Sequence, residues 1–138
     1  MAKYAKNTSV TIAKSKIQIQ DLLTNWGIKE FFFGTSPRGD GIGFKYKEKV
    51  YKHNVPMPPN KNTFTDKQYN QQVRQRWRIL YMSLKMKLEE IDSGGISFED
   101  QFLAMMCLPD GSTVGGFMKL PENLGRLEKT QMPRLLTN

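Results

Sequence analysis

The sequence predicts an α+β fold: an N-terminal helix, a three-stranded antiparallel meander, a long central helix and short C-terminal helices. Three observations carry this reading. Apolar residues recur at helical spacing before Gly27, alternate with polar ones from Ile42 to Val55, and return to helical spacing over residues 66 to 91, which contain neither glycine nor proline. The 138 residues suit a single domain over 1–138, with flexible ends expected at about 1–8 and 128–138.

The first helix runs from a cap at Ser9 or Ser15 through Ile17, Ile19, Leu22, Leu23 and Trp26 to a stop at Gly27. Phe31, Phe32 and Phe33 form the first strand, and a turn-rich loop follows from Thr35 to Gly41. In the second strand Ile42, Phe44 and Tyr46 share one face, with Lys45 and Lys47 on the other. After a turn near Glu48 and Lys49, the third strand sets Tyr51, His53 and Val55 opposite Val50, Lys52 and Asn54. With the apolar face packed on helices, Lys45, Lys47 and Lys52 project outward.

Pro56, Pro58 and Pro59, then Asn60, Lys61 and Asn62, make a stiff connection. Thr65 and Gln68 fit a capping box at the head of the long helix. Tyr69, Val73, Trp77, Leu80, Leu84, Leu88 and Ile91 form its apolar stripe. Lys67, Arg74, Arg78 and Lys85 fall within roughly 40° of one another, about a quarter turn away, as a basic ridge. Ile79, Met82 and Met86 add a smaller apolar strip that calls for a second packing surface, in the monomer or in a homo-oligomer. Ser97 with Asp100 caps a short helix bearing Phe98, Phe102, Leu103 and Met106. Ser112 or Thr113 caps another turn leading to Phe117 and Leu120, and Pro121 opens a polar tail.

The charge is unevenly placed. Of 21 Lys and Arg and 13 Asp and Glu, residues 1–88 hold 17 and 5, and residues 89–138 hold 4 and 8. A basic surface concentrates polyanions, so nucleic acid is the first partner class to consider and an anionic membrane surface the second. No run approaches the roughly 18 apolar residues of a membrane span. Residues 1–9 lack the apolar segment of a secretory signal, which points to the cytoplasm and away from a membrane partner.

Catalytic chemistry finds little material. His53 is the only histidine and Cys107 the only cysteine, which removes internal disulfides, Cys/His zinc sites and two-histidine chemistry. No catalytic residue, cofactor or metal ligand is expected. Asp40 and Glu48 flank a strand as in some nucleases, but Val50 stands where the lysine of that arrangement belongs. Gly34, Gly39, Gly41 and Gly43 offer backbone amides without P-loop or dinucleotide spacing, so the segment reads as a flexible hairpin tip with Arg38 set for phosphate contact. His53 reads as a hydrogen-bonded structural group and Cys107 as a small core residue.

The strongest functional signal is Arg74, Gln75, Arg76, Trp77, Arg78. Three guanidiniums within five residues suit bidentate phosphate contact. Trp77 lies on the apolar stripe and reads as core in preference to a stacking platform. The ridge has an alternative partner in the acidic region that begins at Glu89.

The run Arg76, Trp77, Arg78, then Lys85, Lys87, Leu88, Glu89, then Phe98, Glu99, Phe102, Leu103, Ala104, then Leu108, Pro109, Asp110, Gly111, Thr113, Val114, Gly115, and Met132, Pro133, Leu135, Leu136 resembles a family of uncharacterised small bacteriophage and prophage proteins. Val10, Ala13, Lys14 and Ser15, the helix end near Gly27, and Val55, Pro56, Met57 and Pro58 extend the likeness over nearly the whole chain. Gly116 and Phe117 depart from the bulky pair usual there. The resemblance implies action on nucleic acid in replication or recombination, or neutralisation of a host defence, in the host cell cytoplasm. The topology also resembles the core of phage single-strand annealing proteins.

The expected function is non-enzymatic binding of nucleic acid, single- or double-stranded, by Arg74, Arg76, Arg78 and Lys85, supported by Lys45, Lys47 and Lys52 and by Arg38. Six phosphate contacts imply a log-log salt slope of about −4 to −5. The alternative is an anti-defence or regulatory protein that binds a host defence protein or a small nucleotide. A metal-dependent hydrolase using Asp40 and Glu48 stands third.

Overall fold

The structure, a computed structural model, describes residues 3–58 and 65–133. Thr11 opens α1 (Ile12–Trp26), its hydroxyl accepting the Lys14 N–H at 3.1 Å. Gly27 closes it at φ 103°, where its own N–H and that of Ile28 reach the carbonyls of Thr24 and Leu23. Neither serine is the cap. Ser15 lies one turn inside α1 and is buried on the same side as Ile19 and Leu23.

β1 (Glu30–Ser36), β2 (Gly39–Tyr46) and β3 (Lys49–Pro56) form an antiparallel meander in the order β1-β2-β3. The expected loop from Thr35 to Gly41 is mostly strand: Thr35 pairs with Asp40 and Gly34 with Gly41, leaving only Pro37 and Arg38 as the turn. Gly39 makes this tightness possible. Its φ is +146°, and a Cβ there would stand 2.7 Å from the Val55 carbonyl oxygen. Between β2 and β3, Lys47 and Glu48 both take positive φ, 47° and 70°, as the two-residue hairpin turn of matching twist requires.

α2 (Asp66–Asp92) carries the expected capping box. The Thr65 hydroxyl accepts the Gln68 N–H at 3.1 Å while the Gln68 side chain accepts the Thr65 N–H at 3.0 Å. Val73, Trp77, Leu80, Leu84 and Leu88 are buried along its stripe, forming with α1 a helical layer over Ile42, Phe44, Tyr51 and Val55 of the sheet. Phe33 meets Trp77 edge-on at 6.0 Å between centroids. Before α1, the chain is tied to α2, where Gln71 donates to the carbonyls of Lys6 and Thr8.

Ser97 caps α3 (Phe98–Gln101), accepting the Asp100 N–H. Phe98 and Phe102 enter an aromatic cluster with Phe44, Tyr46 and Tyr51, the closest pair being Tyr46 and Phe98 at 4.1 Å. A 3₁₀ turn over Leu103–Met105 leads to a short pairing with β3, in which the half-buried Cys107 donates its N–H to the Val50 carbonyl at 2.8 Å. Thr113 caps α4 (Val114–Met118). The expected polar tail instead holds α5 (Pro121–Glu128), because Pro121 sits at the first helical position, where its missing N–H is no loss. Pro59 to Asn62 of the expected stiff connection lie outside the described residues. No helix among the described residues is long and apolar enough to cross a membrane.

Candidate nucleic-acid interface

Residues directly opposite in antiparallel strands share a face, so the register fixes what the outer side of the sheet presents. Its rows are Glu30, Lys45 and Val50; Phe32, Gly43 and Lys52; Gly34, Gly41 and Asn54; and Ser36, Gly39 and Pro56. The helices lie on the opposite face, and Phe32 is 58% exposed. A Cβ on Gly43 would overlap the Phe32 ring, so glycine there lets the ring lie across β2. Beyond it lies a hollow of about 520 Å³ whose lining includes Gly34, Arg38, Asp40, Gly41 and Asn54. Asp40 is only 8% exposed, and its Oδ1 has no donor among the described residues. Lys52 donates from Nζ to the Gly111 carbonyl; the neighbouring Asp110 carboxyl is held below its ordinary pKa chiefly by hydrogen bonds from Ser112, with the Lys52 charge contributing.

The helical cations form a second set. Arg74 Nε donates to Gln71 Oε1 at 3.2 Å, and Arg78 donates to Gln18 of α1 while its guanidinium lies 4.2 Å from the Tyr81 centroid. Both are positioned by neutral groups. Lys85 is exposed on the same line of α2. Arg76 points elsewhere, about 160° around the helix from Arg74, and donates to the Pro56 carbonyl beside a groove of about 310 Å³ between α2 and β3. Lys47 stands at the β2–β3 turn, 5.4 Å from the Tyr46 centroid. The eight expected contact residues therefore divide into Lys45 and Lys52 on the sheet with Arg38 at its β1–β2 turn, Arg74, Arg78 and Lys85 on the ridge, and Arg76 and Lys47 apart.

Among the described residues the one ion pair is Lys49 to Glu99 at 2.8 Å, exposed at both ends; the hydrogen bond from Lys49 raises the Lys49 pKa above its ordinary value. None of the eight cations pairs with a described carboxylate, so the intramolecular pairing of the ridge with the acidic region is not formed there. Trp77 is fully buried, with Lys16 Nζ 4.9 Å from its centroid, and has no face for a base.

His53 lines the α2–β3 groove, half-buried, and its imidazole has no hydrogen bond among the described residues, contrary to its expected role. Burial pushes its pKa below 6.5, and the Lys87 charge pushes it further. Asp40 sits near the start of β2 and Glu48 in the turn beyond its end, roughly 20 Å apart at strand rise. No group of three or more metal-ligating side chains occurs among the described residues.

No protein-family model, curated protein or solved structure matches the chain.

Sequence reasoning missed Phe32. The signal was present: within three consecutive phenylalanines in a strand, the middle one faces away from the other two. The glycines at 34, 41 and 43 also share that face, but only the pairing register shows it.

Proposed function

We propose that the protein is a non-enzymatic nucleic-acid-binding protein of phage type, acting in replication or recombination. The observation that carries this reading is six cations, Arg38 at the β1–β2 turn, Lys45 and Lys52 on the sheet and Arg74, Arg78 and Lys85 on the ridge, none of them held in an ion pair among the described residues, although Lys45 lies opposite Glu30 and Lys52 acts on Asp110. Such charges release counterions when they meet phosphates, so affinity falls with salt in proportion to the contacts made. The test is fluorescence anisotropy with single- and double-stranded oligonucleotides over a range of salt. Engagement of one set of three predicts a log-log slope of about −2 on a single strand, and engagement of both sets about −4. Absence of binding at low ionic strength contradicts the proposal. Self-association belongs to the same reading, since Phe117, Leu120, Leu124 and Leu127 of the α4–α5 segment and Met86 of α2 are left exposed.

A second reading, an anti-defence or regulatory protein taking a small nucleotide, draws on the glycine-lined hollow, whose volume falls within the range of about 300–1,000 Å³ common for small-ligand sites. It predicts calorimetric binding of mononucleotides with little salt dependence. A complex with a host defence protein belongs to that reading and predicts a salt-insensitive association.

A further inference from the structure

We infer that the outer face of the sheet receives an unpaired nucleotide strand, with Phe32 as the base-stacking ring. This rests on the nucleic-acid reading and narrows it from polyanions in general to single strands.

Four features meet on this face. The first is the ring itself. Phe31 and Phe33 pack toward the core, whereas Phe32 is held across the glycine backbone at Gly43 with most of its surface in solvent. An exposed aromatic ring braced in this way is a stacking surface for any base. The second is the placement of charge. Lys52 shares a row with Phe32 and Gly43, Lys45 lies one row away, about 7 Å along the strand, and Arg38 stands at the far end beside the hollow. Cations thus bracket the ring, and a strand running along β2 has a phosphate partner on either side of the stacked base.

The third feature is the glycine floor. Gly34 and Gly41 remove the side chains that would hold a polymer away from the sheet, and Gly34 faces open space. The fourth is Asn54, which shares an outer row with Gly34 and Gly41 and lines the hollow. Its exposed carboxamide offers both a donor and an acceptor to the edge of an unpaired base. A duplex keeps its base faces stacked and its pairing edges occupied, so it satisfies the lysines and leaves Phe32 and Asn54 without partners.

Phe32 also covers Gly43, which by itself is a structural role, and the experiment separates the two. Anisotropy of the full chain is measured with oligo-dT, an abasic phosphodiester strand of equal length and a duplex, using wild type, Phe32→Ala and Phe32→Leu; the leucine retains cover over Gly43. Wild type is expected to prefer oligo-dT to both other probes. Both variants are expected to weaken oligo-dT binding by about 5- to 150-fold while leaving the abasic strand unaffected. Unchanged oligo-dT affinity, or an equal loss on the abasic strand, overturns the stacking role and leaves the broader reading standing. Binding to none of the three probes at low ionic strength overturns the broader reading itself. If circular dichroism shows that the variants do not fold, photocrosslinking of wild type to 4-thiothymidine-substituted oligo-dT decides: an adduct on the peptide containing Phe32 supports the inference, and adducts confined to α2 overturn it.

Discussion

Gly39 joins backbone conformation to the shape of the proposed interface. Its φ of +146° and the 2.7 Å separation between a hypothetical Cβ and the Val55 carbonyl leave no room for a side chain where the β1–β2 turn meets β3. Gly39→Ala is expected to destabilise the fold by about 1–3 kcal/mol, read from urea denaturation, through backbone strain and displacement of β3. His53 gives a pH dependence of known sign. Its pKa is lowered in the fold, chiefly by burial, so between the folded value and the unfolded value of 6.5 the unfolded chain binds more protons. The stability it contributes is whole above 6.5 and is lost as pH falls through the lowered folded value. Replacing it by His53→Gln is expected to flatten the fall in denaturation midpoint between about pH 7 and pH 5; an unchanged profile contradicts this. Residue identity alone placed His53 on the inner face, because alternation along β3 is strict. It gave no sign that the imidazole lacks a hydrogen-bond partner among the described residues, since that depends on the groove between two elements distant in sequence.

Caps were the most legible feature among the elements, being local chemistry. Thr65 with Gln68, Ser97 with Asp100, and Thr113 each act at the helix start that their spacing indicates. Thr65→Ala is expected to cost about 1 kcal/mol, measured by chemical denaturation, with the midpoint shifted and the slope of the transition unchanged. Elements differ from the sequence reading where glycine and proline resemble breaks. Pro121 begins α5 instead of ending the structure, and Gly34 and Gly41 sit inside strands. A glycine within a strand can mark a turn or a close approach, and only the cross-strand partner tells which. The first helix shows the same limit on a smaller scale: two serines were available as caps, and the threonine between them has the geometry.

Across the molecule, the excess positive charge of residues 1–88 does not form one surface. It separates into a sheet-face set around Phe32 and a helical ridge beside α1, with Arg76 turned toward the end of β3. The total and its bias toward the first 88 residues were readable by counting. The division was not, because it depends on which side of each layer a residue occupies and on neutral partners such as Gln18 and Gln71 that orient the arginines. The proposal that this charge meets a nucleotide strand is tested most directly by the salt dependence of oligo-dT binding in wild type, Lys45→Ala/Lys52→Ala and Arg74→Ala/Arg78→Ala. With the sheet face as the site, removing the two lysines reduces the magnitude of the log-log slope by about 1.4, while the arginine pair changes it only if the strand also reaches the ridge. A slope of zero in wild type, or one unchanged by the lysine substitutions, contradicts the assignment.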